Sequence, residues 1–130
     1  MLLIAALLTT AILFGGMTLF SFGFAAFLFT ALPIDIARLT IRKAFPHFYL
    51  FVMIMAALAA VLIGSRDLFS AAMLAGVAAT TAPARQILMP AINRATDTGN
   101  KQRFNQLHGL SVVVTLLHLI ATGWVLTRFL

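Results

Sequence analysis

An all-α membrane protein is what this sequence predicts: a bundle of four spanning helices, with a short interfacial amphipathic helix after the first. Three observations predict it. The chain of 130 residues is 62% hydrophobic and only 9% charged, whereas a soluble domain is about a quarter charged. Its apolar residues fall into four charge-free runs, 1–34, 44–65, 68–84 and 104–127. Its basic residues gather in the connections between those runs.

The first run exceeds the roughly 20 residues that a spanning helix needs, and a helix is expected over about 2–31. It lacks a basic start and is far longer than the apolar core of a signal peptide, so it reads as a span. Gly15–Gly16 is a place for a bend. Gly16, Gly23 and Ala26 offer a small-residue face for close helix contact.

The connection "PIDIARLTIRKAF" carries Asp35, Arg38 and Arg42 on one helical face and Ile34, Ala37, Ile41 and Phe45 on another. That pattern predicts a separate short helix in the headgroup plane. A second span is expected over about 45–64. "GSRD" then makes a tight turn, with Gly64 ending one helix and Asp67 capping the next. The third span is expected over about 67–93, interrupted by Pro83 and Pro90. "ATDTGNK" is a polar loop, and the fourth span follows over about 103–128. One transmembrane domain, 1–130, accounts for the whole.

Orientation follows from the basic residues. The first and third connections, with their flanks, hold Arg38, Arg42, Lys43, Arg85, Arg94, Lys101 and Arg103; the other side holds only Arg66 and Arg128. Both termini are therefore expected outside the cytoplasm and the larger loops inside, in the inner membrane if the source is bacterial. The net charge of +6 is an orientation signal in this setting, and the lipid bilayer, not nucleic acid, is the expected partner.

Cysteine is absent, which excludes disulfides, thiolate metal sites and cysteine catalysis. There is no Gly-rich phosphate loop, carboxylate pair or Ser-His-Asp constellation, so no enzyme and no cofactor is expected.

The polar residues that remain are the candidate site. His108, Ser111, Thr115, His118 and Thr122 recur every three or four residues, a seam along helix four. Polar side chains avoid lipid, so the seam should face the bundle interior, as plain interhelical hydrogen bonds or as a small-molecule site. His108, Ser111 and Thr115, with Arg85 and Asn105, are the ligand-binding candidates. Arg85 has no helical carboxylate to pair with, so it snorkels to the headgroups or meets an anionic ligand. His108 and His118 are ten residues apart, about 15 Å along a helix, so they cannot share a ligand. His47, in "FPHFY", lies at the same depth as His108. The pair reads either as axial ligands of a b-type haem or, for His47, as part of an aromatic belt with Phe45, Phe48 and Tyr49.

A faint internal echo links "LP" at Leu32–Pro33, followed by Lys43, Phe45 and His47, to "MP" at Met89–Pro90, followed by Lys101, Phe104 and His108. Parallel repeats of this sort occur in transporters.

The ordered set "GGMTLFSF", "LP", "FPHFY", "LMPAINRATD" and "RFNQLHGLS" resembles the transmembrane protein 205-like family of small four-helix membrane proteins, over nearly the whole chain. The resemblance implies the four-helix fold and hints at export of small molecules or metal complexes. That family role leans on sulfur-bearing residues, and this chain has no cysteine. Three functions are therefore expected in order: a non-enzymatic membrane protein that binds or passes a small molecule, a haem-binding redox protein using His47 and His108, and an accessory subunit of a larger membrane complex. Four helices enclose little space, so a translocation path would need a homo-oligomer.

Overall fold

With almost no polar side chains to hydrate them, these segments satisfy their backbone groups internally, and helices do so within one segment. The computed structural model describes residues 1–130 and is all-helical: α1 (Leu2–Ala31), α2 (Ile34–Ile63), α3 (68–97) and α4 (Lys101–Thr127). α1, α2 and α4 are each long and apolar enough to cross a membrane. Thirty residues of helix reach about 45 Å, beyond the roughly 30 Å hydrocarbon core, so α1 and α2 have length to spare at their ends.

The connections are short and place successive helices antiparallel. Asp67 caps α3 by accepting from the Ser70 N–H at 3.1 Å, and Asn100 caps α4 by accepting from the Arg103 N–H at 3.0 Å. Gly99, at φ +68°, supplies the left-handed residue that turns α3 into α4. We call the end carrying the 32–33 and 98–100 connections the loop end, and the other the terminal end.

The amphipathic segment after α1 is not a separate surface helix. Residues 34–45 are the first turns of α2, which runs unbroken to Ile63 through Pro46. α2 needs about 20 residues to span, and its first turns project beyond that length, so their charged face can stay wet without a change of direction. Likewise α3 continues past Asn93 to Asp97.

Two helices change register. α1 contains a π-helical segment at Leu19–Phe24, and α3 contains one at Ala84–Leu88. In α3 the cause is legible: Pro90 has no N–H for the carbonyl four residues back, its ring crowds that carbonyl, and Met89 N–H instead bonds Ala84 O.

These wider turns fall where the packing changes. On the terminal side, residues 2–18 of α1 pack against both α2 and α4, and residues 68–83 of α3 do the same. Toward the loop end, residues 25–31 of α1 stay chiefly with α2, and residues 89–97 of α3 chiefly with α4. The bundle is thus closed at its terminal half and forks into two helix pairs at its loop half.

The core lies in the closed half, around Leu13, Met17, Val52, Leu74 and Val125. Of the proposed small-residue face, only Gly16 packs. A Cβ there would lie 2.7 Å from the Phe51 ring, while Gly23 meets only Leu19 of its own helix and Ala26 is exposed. Gly123 of α4 receives Phe14 of α1 in the same manner, at 3.3 Å.

Candidate functional site

The fork leaves a groove of about 1060 Å³ lined by all four helices. Its floor is where Tyr49 of α2 meets Ser111 of α4, oxygen to oxygen at 3.4 Å. Both residues are buried. One wall comes from α1 and α2, through Phe20, Phe22, Phe45 and Phe48; the other comes from α3 and α4, through Met89, Phe104, Val112 and Leu116. Polar groups on these walls include Asn93, Asn105, His108, Ser111 and Thr115.

Four of the five residues singled out in the sequence therefore line one space: Asn105, His108, Ser111 and Thr115. Three-residue and four-residue spacing puts them on one stripe, and the fork opens along that stripe. His108 stacks flat on Phe104, with ring centroids 5.3 Å apart and planes 6° from parallel. It is exposed because the groove is open, not because it leaves the seam. Thr115 is tied to its own helix, donating to the Ser111 carbonyl at 3.0 Å.

Arg85 is not in this group. Its Nε–H donates to the Pro46 carbonyl at 3.2 Å, joining the π-helical segment of α3 to α2. A backbone carbonyl is the acceptor available to a guanidinium at a depth without carboxylates.

The lower part of the seam serves packing. His118 Nε2 lies 2.7 Å from Thr80 Oγ1, which also lies 2.7 Å from the Gly76 carbonyl. A hydroxyl has one proton; with that given to Gly76, the oxygen accepts from the His118 N–H. Thr122 is fully buried and donates to the His118 carbonyl.

His47 and His108 do not converge. His47 lines a second, shallow groove of about 410 Å³ on the outer side of α1 and α2. Phe20 and Phe48 border both grooves and stack at 4.1 Å with planes 8° apart, so they partition one from the other. The two imidazoles line different grooves and do not face one another across a shared space. Nor do the neighbours of His47 form a surface belt. Phe48 and Tyr49 are buried, within an interior aromatic cluster that Phe20 and Phe45 complete.

The groove is also lined by basic residues that the sequence marks as orientation signals and, for Arg38 and Arg42, as one face of an amphipathic helix. Arg38 and Arg42 of α2 and Lys101 of α4 line its loop end, with no carboxylate among the lining residues. Arg42 is neutralised from outside the groove: its two terminal nitrogens reach Asp97 at 2.7 and 2.9 Å, bridging the fork. This pairing holds the Asp97 carboxyl below its ordinary range. The face shared by Asp35, Arg38 and Arg42 was visible in the sequence; that it lines a cleft was not. A second ion pair, Asp67 with Arg128 at 2.6 Å, closes the opposite end of the bundle.

Three helices apolar enough to span, a closed bundle half and a polar-floored groove define an integral membrane protein of all-helical fold. The chain belongs to the family described as Domain of unknown function (DUF4149), which matches residues 8–101. No curated protein and no solved structure matches the chain.

Proposed function

We propose that this protein is a non-enzymatic membrane protein that binds a small amphipathic molecule in the groove of the fork. The observation that supports this reading most directly is the groove itself. It is about 1060 Å³, its lining mostly hydrophobic, with Tyr49 and Ser111 meeting at its floor and polar side chains of α4 along the same stripe. Ligand sites have this composition: apolar walls give affinity, and sparse polar groups give orientation. Asn105, His108, Ser111 and Thr115 are its polar contacts in this reading, and Arg85 holds α3 against α2.

α3 completes a fourth span in the same reading, since its first half is packed between α2 and α4. Both termini lie outside the cytoplasm, on the distribution of basic residues, so the fork opens on the cytoplasmic side. The likeness to transmembrane protein 205-like proteins is compatible with this arrangement and rests on the sequence motifs alone. Release on the far side, if the protein passes its ligand across, requires a path through the closed half or between copies in a homo-oligomer.

A lipophilic dye that brightens in apolar surroundings tests the reading. Purified protein in mild detergent should bind it saturably, and Ser111→Leu, which fills the groove floor, should abolish that binding while leaving the helical circular-dichroism signal intact. Dye binding indifferent to Ser111→Leu, and equally to Asn105→Trp higher in the groove, would sink it.

A further inference from the structure

We infer that the occupant of the groove is an anionic phospholipid, its phosphate held between Arg38 and Lys101 and its acyl chain lying along the fork; this rests on the ligand-binding reading above. The groove is polarised along its length. Its loop end carries Arg38 and Lys101, neither of which has an ion-pair partner, and its depth is lined by Phe20, Val112 and Leu116. Arg42, the third cation there, is already matched by Asp97, which leaves an uncompensated charge of two at the mouth. The first turn of α4 starts at the same place, with Asn100 and Lys101 in the lining, so its positive helix end adds to that field.

The groove is also open to the bilayer. The second half of α1 has left α4, so Phe22 and Phe29 on one lip and Val112 and Leu116 on the other are both lining and exposed. A molecule with its head at the loop end and its tail between these lips enters sideways from the leaflet. A soluble anion would satisfy the cations and leave the apolar lips unfilled. A neutral amphiphile would fill the lips and leave two cations unmatched. An anionic lipid matches both, with charge complementarity worth about fivefold in occupancy per cation near a membrane surface.

Lipids brominated in mid-chain test this, because bromine quenches tryptophan at contact. Trp124 is the chain's one tryptophan and lies at the terminal end, so Trp124→Phe gives a silent background. Val112→Trp then reports from the groove, about 16 Å along α4 from Lys101, and Val113→Trp reports from outside the groove lining at the same depth. In vesicles mixing phosphatidylglycerol and phosphatidylcholine, brominated phosphatidylglycerol should quench position 112 more than brominated phosphatidylcholine does. Position 113 should show no such preference, and Arg38→Gln with Lys101→Gln should erase it at 112. Native mass spectrometry of the unsubstituted chain should show phosphatidylglycerol retained over phosphatidylcholine.

Equal quenching by the two lipids at 112, or an equal preference at 112 and 113, overturns the inference while leaving saturable dye binding, and hence the groove, standing. A preference that survives loss of both cations overturns it as well. So does a preference abolished by inorganic phosphate, which would reassign the cations to a soluble ligand. Absence of both quenching at 112 and saturable dye binding removes the groove reading itself.

Discussion

The phenolic oxygen of Tyr49 lies 3.4 Å from the hydroxyl oxygen of Ser111, and this contact joins α2 to α4 across the floor of the groove. It marks the depth at which a closed bundle becomes a fork. At that separation the hydrogen bond is a long one. Tyr49→Phe keeps the buried ring and removes only the hydroxyl. Interhelical hydrogen bonds in membranes average about 0.6 kcal/mol, and a cost of that size or less is expected when unfolding is followed in mixed micelles. A loss above about 2 kcal/mol would mean that the phenol holds more than this one contact.

The Arg42–Asp97 pair spans the mouth of the fork and should make its opening pH-dependent. Asp97 has its carboxyl lowered by the guanidinium hydrogen bonds. Its contribution is therefore present above the ordinary carboxylate range, near pH 4, and is lost as pH falls through the lowered folded value. Because the chain has no native cysteine, spin labels at Ile36→Cys and Gln102→Cys report the mouth cleanly. Their distance distribution should broaden in acid. Asp97→Asn should broaden it at neutral pH and remove the acid response; an unchanged distribution in Asp97→Asn would show that the pair does not hold the fork.

At the opposite end, Asp67 accepts from Ser70 N–H, Ser70 hydroxyl and Arg128 Nε, and its pKa lies well below the ordinary range, chiefly because of Arg128. The sign is the same: stabilisation above the usual carboxylate pKa, lost on acidification through the folded value. Asp67→Ala removes both the cap and the ion pair, whereas Asp67→Asn keeps a capping oxygen. Amide exchange at 125–130 should accelerate most in the alanine variant and less in the asparagine variant. Equal protection in both would assign the whole effect to the charge.

Two adjacent glycines should respond in opposite ways. A Cβ at Gly16 meets Phe51 Cε1 and Cζ at 2.7 Å, while a Cβ at Gly15 meets nothing within 4 Å. Gly16→Ala must displace that ring and is expected to cost about 1–3 kcal/mol, as overpacking does. Gly15→Ala should instead stabilise the chain by about 0.5–1 kcal/mol, because alanine outranks glycine inside a helix. Equal thermal stability of the two variants would show that the α1–α2 contact adjusts freely.

The candidate site was half legible. Asn105, His108, Ser111 and Thr115 stood out because polar residues at helical spacing are rare in so apolar a segment, and one stripe had to face one direction. Arg85 was visible for the same reason, but its partner was not, because a backbone carbonyl leaves no trace in composition. The placement of His47 beyond the Phe20–Phe48 partition depended on the rotation of α2 about its axis, which no pattern within one helix specifies. Arg38 and Lys101 were plain as charges, and only their common position across the fork made them a pair.

By itself the sequence determined that the chain is helical and membrane-bound, and where most helices begin and end. Those are local matters: an apolar segment must satisfy its own backbone, and Asp67 and Asn100 cap from within three residues. Tertiary structure decided that 34–63 is one helix, that the π-helical segment of α1 lies where the packing changes, and that the loop half divides into two pairs. Those outcomes depend on which faces of helices far apart in sequence meet, as at Gly16 with Phe51 and Gly123 with Phe14, and contact of that kind is settled only when the helices pack.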